Sequence, residues 1–302
     1  MTRGAPAALV ALPRVPGLGG LYARGLVASA RRRGGGGGGG WSLPDVTYAV
    51  DDVRADVDHL TAYQHLLGEP ATDALPAGFV HVLAFPVATA VMVRGDFPLP
   101  LLGMVHLANR VEQRRPLTLG DRLGVRAWAR ALRPHRSGTQ VDLVTEVAAD
   151  GDVAWRGVST YLAKGVRLPD APDGGRDGAG ERPTFTPPTR TGRWELPADT
   201  GRRYAAVSGD RNPIHLSPIT ARAFGFPRAI AHGMFTASRA LADVGAARGD
   251  AFAWDVEFAA PVLLPATPDV RVARDGDGHA FAVWHARSGK PHLTGTVAPL
   301  TA

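Results

Sequence analysis

The chain of 302 residues contains two diverged copies of one arrangement of segments, and this duplication restricts its fold more than any other feature. The stretch VEQRRPLTLGDRLGV (residues 111–125) aligns with VEFAAPVLLPATPDV (residues 256–270), with valine, glutamate, proline, leucine and valine at shared positions. Upstream, HVLAFPVATA (residues 81–90) aligns more loosely with AIAHGMFTAS (residues 229–238).

A third block lies further upstream in each copy, where Tyr63 and Gly68 are spaced like Tyr204 and Gly209. Three blocks in the same order indicate an internal repeat. The sequence therefore predicts two units of similar architecture, related by a pseudo-two-fold axis.

Each copy contains one apolar stretch of helical length, followed by strand-like segments. Residues 80–93 are apolar nearly all round, as are residues 230–244 apart from Arg239 and Asp243, and such helices belong in a core. Pro86 is expected in the first turn of its helix, where proline is tolerated. The strand-like segments are residues 141–147, 155–162, 253–258, 270–273, 280–284 and 292–297. We expect an α+β fold in which a curved antiparallel sheet wraps one buried helix per unit.

Composition divides the rest of the chain. Residues 1–41 hold six arginines, which account for the whole net charge of +6, and a run of glycines. We expect a flexible basic leader there, with a short amphipathic helix over residues 21–30 as the alternative. Residues 167–190 are rich in glycine, proline and charge, which is typical of a linker. The two units are then expected at residues 42–166 and 191–302.

Charge and cysteine content argue against several classes of protein. Beyond the leader, 28 basic and 28 acidic residues balance, so we expect no nucleic-acid partner. The absence of cysteine excludes disulfides, thiolate metal ligands and a cysteine nucleophile, and it fits a cytoplasmic location. No stretch reaches the roughly 20 apolar residues of a membrane-spanning helix, so no stable membrane insertion is expected.

The segment YAAVSGDRNPIH (residues 204–215) supplies an acid and a base. Its central sequence SGDRNP consists of turn-forming residues. Asp210 and His215 are five residues apart across a proline, so a turn can bring their side chains to one point where a regular helix cannot. A carboxylate and an imidazole that share one water can move protons to and from a substrate near neutral pH.

The stretch IAHGM (residues 230–234) opens the second apolar helix. Free N–H groups and positive potential at a helix start suit a carbonyl oxygen that gains negative charge, and Gly233 lets a ligand approach the backbone. Each residue also has a simpler use, because Asp210 can cap a turn, His215 can be structural and Gly233 can serve packing. Asp210, His215 and His232 could also hold a metal ion, although their spacing matches no known ligand pattern. A serine hydrolase lacks support, because the chain has no G-x-S-x-G elbow.

Together these residues resemble the hydratase 2 signature of the MaoC-like, (R)-specific enoyl-thioester hydratases. The matching positions are Tyr204, Ser208, Gly209, Asp210, Asn212, Pro213, Ile214 and His215, continued by Ala221, Gly225, Phe226 and the stretch IAHGM. FPLPLLGMVHLANRVEQRRPL (residues 97–117) and SGKPHLTGTV (residues 288–297) also resemble long actinobacterial 3-hydroxyacyl-thioester dehydratases. The resemblance covers about residues 42–302 without the linker.

The resemblance implies a double hotdog fold and a hydro-lyase of fatty-acid metabolism. Its substrates would be trans-2-enoyl and (3R)-hydroxyacyl thioesters of CoA or acyl carrier protein, converted by reversible syn hydration without a cofactor or metal. It implies that Asp210 and His215 hold the water, with Asp210 favoured as base and His215 as acid in the hydration direction. Gly233 N–H would polarise the thioester carbonyl, and Asn212 would brace the loop beside the substrate. The protein is expected to be a monomeric pseudo-dimer or a homodimer.

The first copy is expected to be inactive. Its counterparts of the catalytic acid, the histidine and the helix-start glycine are Glu69, Ala74 and Phe85. Without an imidazole and a glycine this copy would only shape a groove for the acyl chain, which leaves one active site per chain. Two other functions stay open, a non-catalytic acyl-thioester-binding protein and a hotdog thioesterase.

Overall fold

The computed structural model describes residue 6 and residues 8–33, 41–169 and 184–300. The chain packs into two compact units, each assembled from separate segments. The first comprises Met1–Val53, Ala84–Leu107 and Arg122–Pro183, and the second comprises Arg54–Leu83, Ala108–Asp121 and Thr184–Ala302. This division by packing differs from the division of the sequence at residues 42–166, 167–190 and 191–302, which stays a prediction.

Eleven strands and seven α-helices occur in the described ranges. The strands are β1 (Ala8–Ala11), β2 (Val46–Val53), β3 (Met104–Gln113), β4 (Leu123–His135), β5 (Gly138–Ala149), β6 (Asp152–Lys164), β7 (Gly192–Arg193), β8 (Phe252–Phe258), β9 (Asp269–Asp275), β10 (Gly278–Trp284) and β11 (Pro291–Pro299). The helices are α1 (Leu18–Arg33), α2 (Val57–Leu67), α3 (Ala77–Met92), α4 (Thr200–Ser208), α5 (Pro213–Leu216), α6 (Pro218–Ala223) and α7 (Gly233–Val244). Among these helices, none has the length and apolar character needed to span a membrane.

In the first unit the strands follow the spatial order β1-β2-β4-β5-β6. β1 pairs with β2 in parallel, and the other neighbours are antiparallel. β5 is buried at most positions, with Val141, Val144 and Val147 fully enclosed. Polar residues such as Asp142 and Glu146 interrupt its apolar residues, so the recurring valines predicted this strand.

The prediction of a flexible leader at residues 1–41 is wrong for the part of that segment that the structure describes. β1 extends the sheet, and α1 packs its apolar face onto the first unit, where Leu18 and Leu21 form a buried cluster with Ala90 of α3. Burial of these leucines offsets the entropy lost when the segment folds. The structure thus favours the helical alternative, although the glycine run at residues 34–40 lies outside the described residues.

In the second unit the strands follow the order β3-β8-β11-β10-β9-β7, and each pairing is antiparallel. α7 packs against β9, β10 and β11, with Phe235, Ala237 and Leu241 inside the core. α2 packs against α4 and α7. This arrangement is the predicted buried helix against an antiparallel sheet.

The helices and strands expected from the apolar patterns are present, with one correction inside α3. Pro86 lies in the middle of this helix rather than in its first turn, because the helix already begins at Ala77. The sequence from Ala77 to Phe79 carries no capping side chain that would mark this start. The expected boundary therefore fell three residues too late.

The pairing of β3 with β8 reflects the internal duplication. Arg110 lies opposite Asp255, which is its own equivalent in the alignment of residues 111–125 with 256–270 when that alignment is extended by one residue. The two side chains approach to 3.7 Å. An antiparallel pair in which a residue faces its own repeat equivalent lies on a local pseudo-two-fold axis.

Backbone hydrogen bonds before α3 and α7 correct the alignment of the two helices. The equivalent N–H to carbonyl bonds are Leu75 to Leu117 and Leu119 to Asp73 before α3, and Ala231 to Val262 and Leu264 to Ala229 before α7. In this register Ala77 is the counterpart of Gly233, since each is the first residue of its helix. The alignment of Phe85 with Gly233 is therefore wrong by about two helical turns. Apolar helices contain few distinctive residues, so their sequences alone do not fix how two such helices align.

The same register shows that Ala74 is not the counterpart of His215. Gly68 and Gly209 both end a helix in the left-handed conformation, with φ of 75° and 71°. Seven residues lead from Gly68 to Leu75, whereas 22 lead from Gly209 to Ala231. The segment that carries α5 and α6 is therefore an insertion in the second copy, and the first copy lacks the whole segment rather than one imidazole.

Glu69 follows its helix-ending glycine as Asp210 does, but it forms a buried ion pair. Arg248 Nη2 lies 2.9 Å from Glu69 Oε2, and Arg248 Nη1 lies 3.4 Å from Oε1. The side chain of Glu69 is 2% exposed and that of Arg248 is 16% exposed. The position of the acid in the first copy thus serves stability.

Glu69→Gln should lower the free energy of unfolding by about 3 kcal/mol, because the substitution leaves the buried guanidinium of Arg248 without its carboxylate. Urea unfolding followed by circular dichroism measures the change. Asp52→Asn is the matched control, since Asp52 pairs with Arg122 at the same 2.9 Å but both side chains are more than half exposed. This control should lose less than about 1 kcal/mol. Equal losses in the two variants would contradict the assignment.

Candidate active site

The turn after α4 fixes the carboxylate of Asp210. Gly209 ends α4, and its N–H donates to the Ala205 carbonyl. The N–H of Asp210 then donates to Ser208 Oγ at 3.2 Å, and the N–H of Asn212 donates to Asp210 Oδ1 at 3.1 Å. A backbone amide thus holds one carboxylate oxygen, and the orientation of the other oxygen, Oδ2, follows from it.

The short helix α5 presents His215. Asn212 caps this helix, since its Oδ1 accepts from Ile214 N–H at 3.4 Å, and Pro213 occupies the first helical position. His215 Nδ1 lies 2.8 Å from the Ile230 carbonyl oxygen. Because a carbonyl only accepts, Nδ1 carries the proton, and Nε2 of the neutral ring carries a lone pair.

His232, which precedes α7, joins the two predicted catalytic residues. Its ring stacks on that of His215, with centroids 3.6 Å apart and planes 23° from parallel. Its Nε2 donates to the Asp210 backbone carbonyl at 2.9 Å and lies 3.8 Å from Asp210 Oδ2. Its Nδ1 is buried and makes no hydrogen bond within the described structure. His232 therefore holds Asp210 and His215 in one cluster.

Asp210, His215 and His232 each place one carboxylate oxygen or ring nitrogen within 4.8 Å of the others. Such a cluster could in principle hold a metal ion. The two imidazoles are stacked, however, and imidazole lone pairs lie in the ring plane, so an ion in the plane of one ring would lie outside the plane of the other. The arrangement suits a shared water molecule better than a cation.

Burial keeps the imidazoles of the site neutral. It lowers the pKa of His215 to about 3, an effect to which the neighbouring His232 adds and which Asp210 and the Ile230 carbonyl oppose. Burial also lowers the pKa of His232, against the opposing effect of Asp210. At neutral pH the site therefore combines uncharged imidazoles with a carboxyl group that is one-fifth exposed.

His81 is an ionisable residue under the influence of Asp210 that the sequence interpretation missed. It lies on α3, it is buried, and burial lowers its pKa to about 4 while the charge of Asp210 opposes that shift. Gly78, one turn earlier, lets α3 approach α7, because a β-carbon there would lie 2.2 Å from Ser238 Oγ. The signal was present in the sequence, since an ionisable residue in an otherwise apolar helix is a candidate for a functional site.

Gly233 and Asn212 lie where the sequence placed them. Gly233 is the first residue of α7, and a β-carbon there would lie 3.1 Å from Phe258 Cε1, so the ring of Phe258 occupies the space that the glycine leaves. The first N–H groups of a helix lack an intrahelical acceptor. Asn212 braces the loop through its cap of α5. Contact of either residue with a substrate stays a prediction.

Comparisons with known proteins identify the family and agree with the fold. Residues 178–296 match the family described as MaoC like domain. The chain is 41% identical over 256 residues to 3-hydroxyacyl-thioester dehydratase X of Mycobacterium tuberculosis, covering 84% of this chain and 90% of that protein.

Solved structures extend the similarity to three dimensions. A crystal structure of HtdX from Mycobacterium tuberculosis matches with a TM-score of 0.73 and 38% identity, covering 84% of this chain and 100% of that one. A MaoC-like dehydratase from Phytophthora capsici matches with a TM-score of 0.63 at 21% identity, covering 85% and 95%, which bears on the fold alone. The fold is an α+β double hotdog, and the chain belongs to the MaoC-like dehydratase family.

Proposed function

We propose that this protein catalyses the reversible dehydration of (3R)-hydroxyacyl thioesters to trans-2-enoyl thioesters. The observation that carries the proposal is the approach of Asp210 and His215 to within 4.8 Å of each other. One water molecule that makes hydrogen bonds of about 2.8 Å to both groups would span about 4.5 Å. The 41% identity to a protein named 3-hydroxyacyl-thioester dehydratase supports the same reaction.

The tautomer of His215 favours roles opposite to those expected from the sequence. His215 donates through Nδ1 and has a lowered pKa, so it begins hydration as a neutral ring with a free lone pair on Nε2. In this mechanism Nε2 removes one proton from water while the water oxygen bonds to Cβ. The imidazolium then gives that proton to Cα on the same face, which yields syn addition of one hydrogen and one hydroxyl. In hydration, His215 thus acts first as the base towards water and then, as the imidazolium, as the acid towards Cα.

Asp210 and Gly233 complete the mechanism. Asp210 accepts the second hydrogen of the water, which orients the oxygen towards Cβ, and its negative charge stabilises the transient imidazolium. The N–H of Gly233, at the positive end of α7, would donate to the thioester oxygen as negative charge develops there. Dehydration follows the same steps in reverse.

We also infer a cytoplasmic enzyme that uses thioesters of CoA or acyl carrier protein and acts as a monomeric pseudo-dimer or a homodimer. The absence of cysteine fits a reducing compartment. The pairing of β3 with β8 inside one chain supports the pseudo-dimer, because each strand already has its repeat equivalent as its neighbour.

Asp210→Asn and His215→Gln should each lower kcat for hydration of crotonyl-CoA roughly 10²- to 10⁴-fold, because each removes one member of the pair that holds and deprotonates water. Loss of absorbance of the conjugated enoyl thioester follows the reaction. His65→Gln replaces an exposed histidine of α2 and should keep full activity.

The same assay separates the other two functions. Release of free thiol by the wild-type protein would indicate a thioesterase, since hydration releases none. Tight binding of crotonyl-CoA without turnover would indicate a non-catalytic binding protein. Full hydration activity in both variants would contradict the proposed site.

The neutral state of His215 makes stability depend on pH. An unfolded histidine takes up a proton near pH 6.5, whereas His215 in the folded protein does so only near pH 3. The unfolded state therefore binds more protons between these values, and stability falls as pH decreases through this window. The free energy of unfolding should fall between about pH 7.5 and about pH 5, and His215→Gln should reduce that fall. A fall of the same size in wild type and variant, with His65→Gln as control, would contradict a neutral His215.

A further inference from the structure

A cluster of exposed arginines surrounds the inserted segment that carries His215. Between residues 200 and 230 the chain has five arginines and one carboxylate, Asp210, although beyond the leader the chain as a whole is balanced in charge. We define the arginine collar as these five residues together with two exposed apolar neighbours: Arg202, Arg203, Arg211, Arg222, Arg228, Ile219 and Phe224.

The helices of the collar pack together. α5 contacts both α4 and α6. Arg202 Nη1 donates to the Leu216 carbonyl at 3.2 Å, which ties α4 to the end of α5, and Thr220 Oγ1 donates to the Pro213 carbonyl at 2.6 Å, which ties α6 to its start. The two helices that bear most of the collar, α4 and α6, are therefore both held against α5, which carries His215.

Within the described part of the chain, no ion pair offsets the positive charge of the collar. All five arginines are exposed, and none lies within 4.0 Å of a carboxylate in the described ranges. Exposed like charges repel one another, and their repulsion falls when an anionic partner binds. The collar thus fits an acidic ligand.

Two apolar side chains stand among these charges. Ile219 is 79% exposed and Phe224 is 40% exposed, and both belong to α6 or its end. Arginine with apolar and aromatic side chains is the composition typical of protein–protein interfaces. A partner that covers these residues would remove apolar surface from water.

We propose that the arginine collar is the docking surface for an acidic acyl carrier protein that delivers the thioester, which rests on the function proposed above. Such a carrier presents carboxylates to the arginines and extends its substrate on a phosphopantetheine arm. Arg203 lies about 9 Å along α4 from the glycine that precedes Asp210, so a carrier on the collar would sit beside the site rather than in it.

The collar matches a protein better than the nucleotide of CoA. The phosphates of CoA lie close together on one small group and need a few convergent cations. Five arginines spread from α4 to the loop after α6 present more charge than one nucleotide can contact, and the exposed Ile219 would gain nothing from a phosphate. A small acidic protein can contact the whole surface.

Steady-state kinetics with two carriers of one acyl group tests this proposal. Ile219→Asp and the double variant Arg203→Glu/Arg228→Glu should each raise KM for a crotonylated acidic acyl carrier protein about tenfold, with kcat unchanged. KM for crotonyl-CoA should change less than about twofold. For the wild-type protein, kcat/KM with the carrier protein should also fall as sodium chloride increases, because rim charges steer association.

The control is Arg274→Glu, which makes the charge change of one half of the double variant at an exposed position near the end of β9 and should leave both KM values unchanged. An equal rise of KM for both substrates would overturn the proposal in favour of a phosphate-binding surface, and no rise with the carrier protein would overturn it outright. Calorimetric binding of the carrier protein to wild type and variants tests the collar separately from turnover. Failure of the wild-type protein to hydrate either substrate would instead count against the proposed function.

Discussion

The backbone of Ile230 is the fixed point on which the position of His215 depends. Its carbonyl accepts a hydrogen bond from His215 Nδ1, and its N–H donates to the Ile214 carbonyl at 3.1 Å. Both bonds tie it to neighbouring residues of α5. The next residue, Ala231, is bound to Val262 in turn. The position and the tautomer of His215 are therefore set by main-chain groups, which leave Nε2 free for chemistry.

The internal duplication supplies the backbone frame that holds Ile230 before α7. The bonds that hold the chain before α3 have equivalents before α7, so the frame belongs to both copies. Only the second copy carries the long inserted segment between its helix-ending glycine and that frame. In the first copy, Glu69 stands at the matching position and binds Arg248 in a buried pair. One copy thus uses the position for stability, and the other is proposed to use it for catalysis.

The sequence predicted the helices and strands that depend on local residue patterns. It did not predict the features that depend on tertiary contacts. The strand β5 follows from its recurring valines, and the helix α7 follows from a mainly apolar stretch of helical length. The register of α3 against α7 could not be read in the same way, because an apolar helix offers many similar alignments and hydrogen bonds outside the helix select one. The sequence predicted a helix near α1 only as the alternative to a flexible leader, since Leu18 and Leu21 become core residues only through contact with Ala90.

The site residues show the same division. Asp210 and His215 were found because turn residues, an acid and an imidazole fall in one short segment. His81 was missed because it is distant in sequence and reaches the neighbourhood of Asp210 only through the packing of α3. His232 was considered as a metal ligand, whereas its stacking on His215 is a property of the folded chain.

The surroundings of His215 determine how strongly its ring binds a proton. A proton on His215 would face a second buried imidazole with its centroid 3.6 Å away, and burial already disfavours the charge. The charge of Asp210 opposes this effect, so the imidazolium is stabilised only while the carboxylate is ionised beside it. A base that binds a proton weakly returns it readily, and in the proposed mechanism the acceptor of that proton is Cα of the substrate. In the proposed mechanism, the same burial that makes His215 a poor resting acid therefore suits it to carry one proton across one face of the double bond.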